Sequence, residues 1–364
     1  MCARPQNWRV RNDSRSLVFL LPGSLDTPTG GYAYDRRMIA GLRARGWLVN
    51  VAELDGSFPQ PTSAALSHAA RIFAAIPDRA TVVVDGLALG AMPAQAEREA
   101  RRLRIVALIH LPLAAEIGIG EHLAAQLEAS ERRAIAAAMR VIVTSKTMPH
   151  ALARYGVPPH LIAVVEPGTD RAPVARGSHE GPLQLLCVAT LNPGKGHDIL
   201  FRALAAVPHA QWHLTCAGSL DRHPPTVRRL RARLRADALE DRVSLVGDVD
   251  AGTLASCYDG ADLFVLATLH ETYGMVVAEA LARGLPVVST STGAIAELVG
   301  DDAGVIVPPG DVGAFTIALA KVMSDAHLRA RLAEGARRVR DRLPTWDAAV
   351  DKMVVELERV AADD

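Results

Sequence analysis

No excess of charge of either sign marks this chain: 40 Lys and Arg stand against 40 Asp and Glu in 364 residues, a formal net charge of zero. A balanced chain has no global field with which to gather polyanions, so no nucleic acid is expected as a partner. Long apolar runs are also missing. No stretch reaches the roughly 18 residues that a membrane-spanning helix needs, and the first apolar run, residues 17–21, is too short for a secretory leader. The expectation is a cytoplasmic protein. Cysteine is scarce: Cys2, Cys187, Cys216 and Cys257 show no metal-type spacing. Cys187 and Cys216 lie in apolar strand-like runs, where small buried thiols are common, so the cysteines are read as reduced and structural. Finally, no Gly-x-Gly-x-x-Gly follows the first apolar run; Pro22-Gly-Ser-Leu-Asp-Thr-Pro stands there, which argues against a nicotinamide-dependent oxidoreductase.

What is present reads as a two-domain α/β protein. Hydrophobic residues make up 49% and charged residues 22%, a globular composition, and the length exceeds that of a usual single domain. Apolar runs at 17–21, 81–85, 105–109, 141–144 and 161–165 alternate with helical patterns, the first helix spanning about 32–45 and stopped by Gly46. A second series begins at 183–188 and continues through 212–216, 243–246, 261–268 and 285–289. Such alternation predicts doubly wound parallel sheets. The expected organisation is a first domain over 1–168, a polar, turn-rich linker over 169–182, a second domain over 183–343 and a terminal helical segment over 344–364.

The most informative stretch is Glu271-Thr-Tyr-Gly-Met-Val-Val-Ala-Glu279-Ala-Leu-Ala-Arg-Gly-Leu-Pro-Val-Val-Ser289. It reads as strand, loop, helix over 275–282 and strand, with Gly284 as the stop. Ligands collect beyond the carboxyl ends of parallel strands, where the loop over 269–274 belongs. Gly274 lets backbone N–H groups approach an anion at the helix start, and the helix dipole favours a phosphate there. Glu279 is the only charge among residues 275–281, and an enclosed carboxylate needs partners. A ribose diol is one candidate and a structural arginine is another.

The whole segment resembles the donor-site signature of family-4 retaining glycosyltransferases. The likeness continues upstream through Asp248-Val-Asp-Ala-Gly-Thr-Leu-Ala-Ser-Cys-Tyr258 and downstream through Gly293, Glu297 and Gly304-Val-Ile-Val-Pro308. The resemblance implies the GT-B fold, two Rossmann-like doubly wound domains facing across a cleft, with the terminal helix returning to the first domain. It implies transfer of a hexose-type sugar, with retention, from a UDP- or GDP-sugar to a hydroxyl on a small-molecule, glycan or lipid acceptor, without a metal or other cofactor. By resemblance Glu271 sits by the donor sugar, and Tyr273, Gly274, Met275 and Val276 contact sugar and diphosphate through backbone amides. Glu279 binds the nucleotide ribose, and the base lies near Gly218 and Gly247.

Other positions join this set. Gly30 and Gly31, behind the first strand, match the family's glycine loop. His110 follows the strand over 105–109 and matches a histidine placed near the sugar's hydroxymethyl group. Lys195, in Ala189-Thr-Leu-Asn-Pro-Gly-Lys-Gly196, is the candidate for stabilising the leaving diphosphate. The family usually shows Gly-Arg and a basic pair where this chain has Ala189, Thr190 and Gly194. Lys195 is therefore the sole cation of its loop, and either a residue elsewhere compensates or donor binding is weaker. His110, Lys195 and Glu271 are the expected catalytic residues.

Two motifs have plainer readings. Asp248-Val-Asp250 spells an acidic pair that could hold a divalent ion, but the family carries no metal there and a loop is expected. The arginine-rich stretches 98–104 and 228–235 read as solvated faces, with weak peripheral membrane contact as the other reading. A catalytically weak sugar-nucleotide binder and a nucleotide-sugar epimerase of related fold stand as alternative functions.

Overall fold

The computed structural model describes residues 15–178, 180–207 and 211–362, so Cys2 lies outside the described residues. Two compact units emerge: one runs up to Gly168 and resumes at Trp346, and the other is Thr169–Thr345.

In the first unit, β1 (Ser16–Pro22), β2 (Leu48–Leu54), β3 (Thr81–Asp85), β4 (Arg104–Ile109), β5 (Arg140–Val143) and β6 (Ile162–Val164) form one sheet in the order β2-β1-β3-β4-β5-β6. Every pairing is parallel. Both faces are covered, which is why these strands read as continuous apolar runs. Leu17, Phe19 and Leu21 pack on one side with Met38, Ile39, Met353 and Leu357. Val18 and Leu20 pack on the other with Ala65, Ala69 and Phe73. The edge strand β2 was not expected: Asn50 and Glu53 break its apolar run, and an edge position leaves them half-buried or exposed.

The helix Gly30–Ala44 starts two residues earlier than its pattern suggested. Gly30 and Gly31 therefore belong to its first turn and not to a loop. The helix Trp346–Ala362 packs on this one, and the fit is close at Gly41, where an added Cβ would lie 2.4 Å from Val350 Cγ2. Arg45 Nε ties the pair by donating to Asp351 Oδ1 at 2.6 Å.

In the second unit, β7 (Leu183–Val188), β8 (Trp212–Ala217), β9 (Val243–Gly247), β10 (Leu263–Leu266), β11 (Val287–Thr290) and β12 (Gly304–Val307) run parallel in the order β12-β11-β10-β7-β8-β9. The order reverses between β7 and β10, creating a switch point where two loops diverge from neighbouring strand ends. None of the described residues of 169–182 is in a helix or strand. This segment is pinned to the second unit: Ala175 N donates to Arg283 O, Arg176 N to Asp259 O and Ser178 N to Asp262 Oδ1.

The acidic pair over 248–250 is a helix start. Asp250 caps the helix Ala251–Asp259 by accepting from Thr253 N at 2.8 Å and from Thr253 Oγ1 at 3.2 Å. Along the helix Pro224–Ala236, Val227, Leu230 and Leu234 are buried while the arginines are exposed. The other arginine stretch differs from its solvated reading. Arg102 donates to Phe73 O and Ile76 O, each at 2.6 Å, and pairs with Asp78, so it fastens the loop ahead of β3.

Candidate functional site

The second unit builds its site at the switch point. Behind β7, Asn192 Oδ1 accepts from Lys195 N at 3.2 Å, closing a tight turn. Gly196 ends that turn with φ +62°, and a Cβ there would sit 2.0 Å from Ala267 O. Only glycine permits so close an approach of the turn to the end of β10. Two bonds then stitch the loops: Leu269 N donates to Gly194 O at 2.8 Å and Thr268 Oγ1 to the same oxygen at 3.1 Å. The result places Lys195 Nζ 2.6 Å from Glu271 Oε2. Both side chains stay partly open, at 26% and 18% of their free exposure, so the charges remain available to a ligand.

The loop bearing Glu271 is clamped from behind. A Cβ on Gly293, at φ +54°, would lie 2.2 Å from Glu271 O and 2.4 Å from Thr272 O, and Ala294 N donates to Thr272 O at 2.9 Å. Gly274 caps the helix Met275–Ala282, and Val277 N and Ala278 N donate to Gly274 O at 2.9 and 3.1 Å, so the N–H groups of Met275 and Val276 are the ones the helix itself does not engage. Tyr273 is buried in a small apolar cluster with Ala278 and Ala294. Met275 and Val276 are half-buried at the helix start.

Glu279 lies one turn further along. Tyr258 Oη donates to its Oε2 at 3.0 Å and to Val276 O at 3.2 Å. The Arg283 guanidinium covers the Tyr258 ring at 4.4 Å and donates to Glu279 O at 3.1 Å. Burial raises the Glu279 carboxyl above its ordinary value; the Tyr258 hydroxyl and the Arg283 charge pull it back, and Asp170 adds a smaller push upward. The carboxylate is thus held by a hydroxyl. Gly218 N donates to Gly247 O at 2.9 Å, bringing the two glycines together behind β8 and β9.

The first unit has its own cluster at the carboxyl ends of β3 and β4. His110 Nε2 lies 3.0 Å from Asp35 Oδ1 and 3.6 Å from Asp85 Oδ2. Asp35 is fully buried and its Oδ2 has no hydrogen-bond partner. Asp85 Oδ1 accepts from Leu87 N at 2.7 Å. Burial and the neighbouring Asp35 charge push the Asp85 carboxyl up to about 7, against the pull of His110. Burial alone would lower His110, but the two carboxylates raise it. Gly31 makes room for this ring: an added Cβ would sit 3.3 Å from His110 Cδ2. Tyr34 meets the imidazole edge-on at 5.2 Å.

Of the expected residues, Lys195 and Glu271 form one ion pair, residues 273–276 and Glu279 follow on the same loop and helix, and Gly218 and Gly247 adjoin. Gly30, Gly31 and His110 belong to the first unit. Sequence reasoning missed Asp35, Asp85 and Tyr258. Asp85 was detectable as a carboxylate ending an apolar strand, and Asp35 as a charge one helical turn after Gly31.

The two parallel sheets with this switch-point site define a GT-B protein, and known structures agree. Sucrose-phosphate synthase from Thermosynechococcus elongatus superposes with a TM-score of 0.79 at 20% identity, over 96% of this chain and all of that one. Anabaena HepE in complex with UDP-glucose gives 0.74 at 19% identity, over 94% and 98%. More particularly, residues 169–339 match the family model described as Glycosyl transferases group 1. The match lies within the second unit, which carries the Lys195, Glu271 and Glu279 site. Among curated relatives, D-inositol 3-phosphate glycosyltransferase of Xylanimonas cellulosilytica is 31% identical over 243 residues, 62% of this chain and 58% of that protein. Mannosylfructose-phosphate synthase of Agrobacterium fabrum is 31% identical over 183 residues, 48% of this chain and 40% of that protein. The chain thus matches 58% and 40% of the length of these two curated relatives. Among the described residues no helix is long and apolar enough to cross a membrane.

Proposed function

We propose that this chain is a retaining glycosyltransferase that moves a hexose-type sugar from a UDP- or GDP-sugar to a hydroxyl acceptor without a metal ion. The observation that carries the reading is the Lys195–Glu271 pair at 2.6 Å, set at a switch point beside the start of the helix Met275–Ala282. A cation and a set of helix N–H groups suit a diphosphate, and an adjacent carboxylate suits the hydroxyls of the attached sugar. The complex of Anabaena HepE with UDP-glucose supports a donor of this type.

In this reading the diphosphate draws Lys195 toward its oxygens, and Glu271 exchanges the ammonium for sugar hydroxyls. As the glycosidic bond breaks, negative charge grows on the leaving oxygen, where Lys195 and the first turn at Met275 and Val276 stabilise it. Glu279, kept in place by Tyr258, accepts from the ribose hydroxyls. In the first unit, Asp35 and Asp85 orient His110. The sugar keeps its configuration because the acceptor oxygen enters on the face that the diphosphate leaves.

Thermal shift with UDP- and GDP-sugars ranks the donors, because a ligand that binds only the folded chain stabilises it by mass action. Transfer to a panel of acceptors that includes D-inositol 3-phosphate, prompted by the relatives' names, then tests turnover. The reading fails if no donor raises the melting temperature. A second reading, a sugar-nucleotide binder of low activity, is favoured by one fact: Lys195 is the only cation in residues 189–196 and is already engaged by Glu271. Donor binding without product from any acceptor supports that reading.

A further inference from the structure

Beneath the turn that carries Lys195, the second unit holds a cluster that the proposed transfer does not use. Cys187 on β7 and Cys216 on β8 are register partners in neighbouring parallel strands, so both side chains leave the sheet on one face. His197 opens the helix His197–Ala206 directly after the turn, and its Nε2 lies 3.8 Å from Cys187 Sγ. The two sulfurs and an imidazole nitrogen all lie within 4.8 Å of one another. Exposure is 1% for Cys187, 0% for Cys216 and 1% for His197.

This cluster is unlike ordinary core packing. Buried polar groups are normally hydrogen-bonded, yet His197 Nδ1 is buried without a partner and Nε2 faces a thiol.

We infer that Cys187, Cys216 and His197 form a binding site for a thiophilic divalent cation, with Zn2+ as its representative. Two thiolate sulfurs and one neutral imidazole are soft and borderline ligands of the kind Zn2+ takes. Two thiolates with one divalent ion carry no net charge, which removes the cost of burying an isolated anion. Loading forms two Zn–S bonds and one Zn–N bond, the protons of both thiols leave to solvent, and no electrons move. Zn–S and Zn–N bonds of roughly 2.3 and 2.0 Å bring ligand atoms within about 4 Å of one another, so the cluster needs only a small contraction. Three protein ligands are one fewer than in closed structural sites, so the ion should exchange with a chelator. Because Cys187 and His197 flank residues 189–196, the ion would tie a strand end to a helix start and stiffen the turn that holds Lys195.

The inference stands apart from the transferase reading, and its test needs no donor or acceptor. The purified full chain is stripped with a chelator, reloaded with Zn2+ alone and weighed by native mass spectrometry. One Zn2+ per chain is expected in the wild type and in Cys257→Ser, whose cysteine lies outside the cluster, and none in Cys187→Ser or Cys216→Ser. Circular dichroism checks that the variants fold. X-ray absorption of the zinc-loaded wild type reads the ligands without mutation and should show two sulfurs and one nitrogen. Failure of the wild type to retain zinc, a shell of oxygen and nitrogen only, or equal retention in folded Cys187→Ser and Cys216→Ser overturns the site.

Discussion

Lys195 and Glu271, 76 positions apart in the chain, meet at 2.6 Å because β10 lies beside β7 in the sheet. Each charge satisfies the other. In the proposed transfer a diphosphate sugar would replace that single contact with two, an ammonium on phosphate and a carboxylate on hydroxyls.

Removing either member should therefore cost more than its own ligand contact, since the other is left unpaired in a partly buried place. Lys195→Ala and Glu271→Gln should each lower kcat/KM by roughly 10²–10³, the size of losing one preorganised electrostatic group. The double variant should lose less than the product of the two. Steady-state kinetics on all three gives the coupling, and strictly multiplicative losses would show that the pair does not act as a unit.

Tyr258 provides a subtler probe, because its hydroxyl holds the Glu279 carboxylate at 3.0 Å while its ring carries Arg283. Tyr258→Phe keeps the ring and removes one hydrogen bond worth about 1 kcal/mol. Nucleotide affinity should weaken by roughly fivefold to tenfold with little change in fold. Calorimetric titration with UDP and GDP measures it, and unchanged affinity for both would separate Glu279 from the ribose.

Gly293 supports the Glu271 loop from outside the site. In Gly293→Ala the new methyl would meet Glu271 O at 2.2 Å, and the residue would also be held at φ +54°. Backbone strain of this kind costs about 1–3 kcal/mol. Here relief must come from moving the very segment that positions Glu271. Donor KM should rise along with a lower melting temperature. A variant that melts earlier yet binds donor normally would mean the loop relaxes without displacing the carboxylate.

The acidic cluster in the first unit predicts a pH dependence. Asp85 is raised from an ordinary 3.8 to about 7, so between those values the native state holds a proton that the unfolded chain has lost, and stability falls as pH rises. His110 is raised above 6.5; its pairing is fully present below that value and is lost as pH climbs through the raised one, which acts in the same direction. Asp85→Asn keeps an oxygen for Leu87 N and removes the titration. Its melting temperature relative to wild type should rise from pH 4 and level off once the pH passes about 7. A flat difference across that range would show that Asp85 titrates normally.

Much of the fold was legible because buried parallel strands leave continuous apolar runs. Residues 81–85 and 183–188 coincide with β3 and β7. The strands that escaped were sheet edges. Leu48–Leu54 and Gly304–Val307 are each paired on one side only, so polar residues or glycine interrupt them. The glycine pair was read as a loop that lets the chain approach a ligand, yet it opens the helix Gly30–Ala44, and an added Cβ on Gly31 would press on the His110 ring at 3.3 Å.

By itself the sequence determined the two α/β series, the helix stop at Gly284 and the carboxylates of Glu271 and Glu279, since periodicity and local spacing reside in consecutive residues. Tertiary structure decided who meets whom: Lys195 with Glu271, His110 with Asp35 and Asp85, Tyr258 with Glu279, and Cys187 with Cys216 and His197. Local hydrophobic pattern says that a strand is buried but not which strand lies beside it. In a doubly wound sheet the reversal of strand order brings together loops far apart in the chain, and the chemistry of the site is set there.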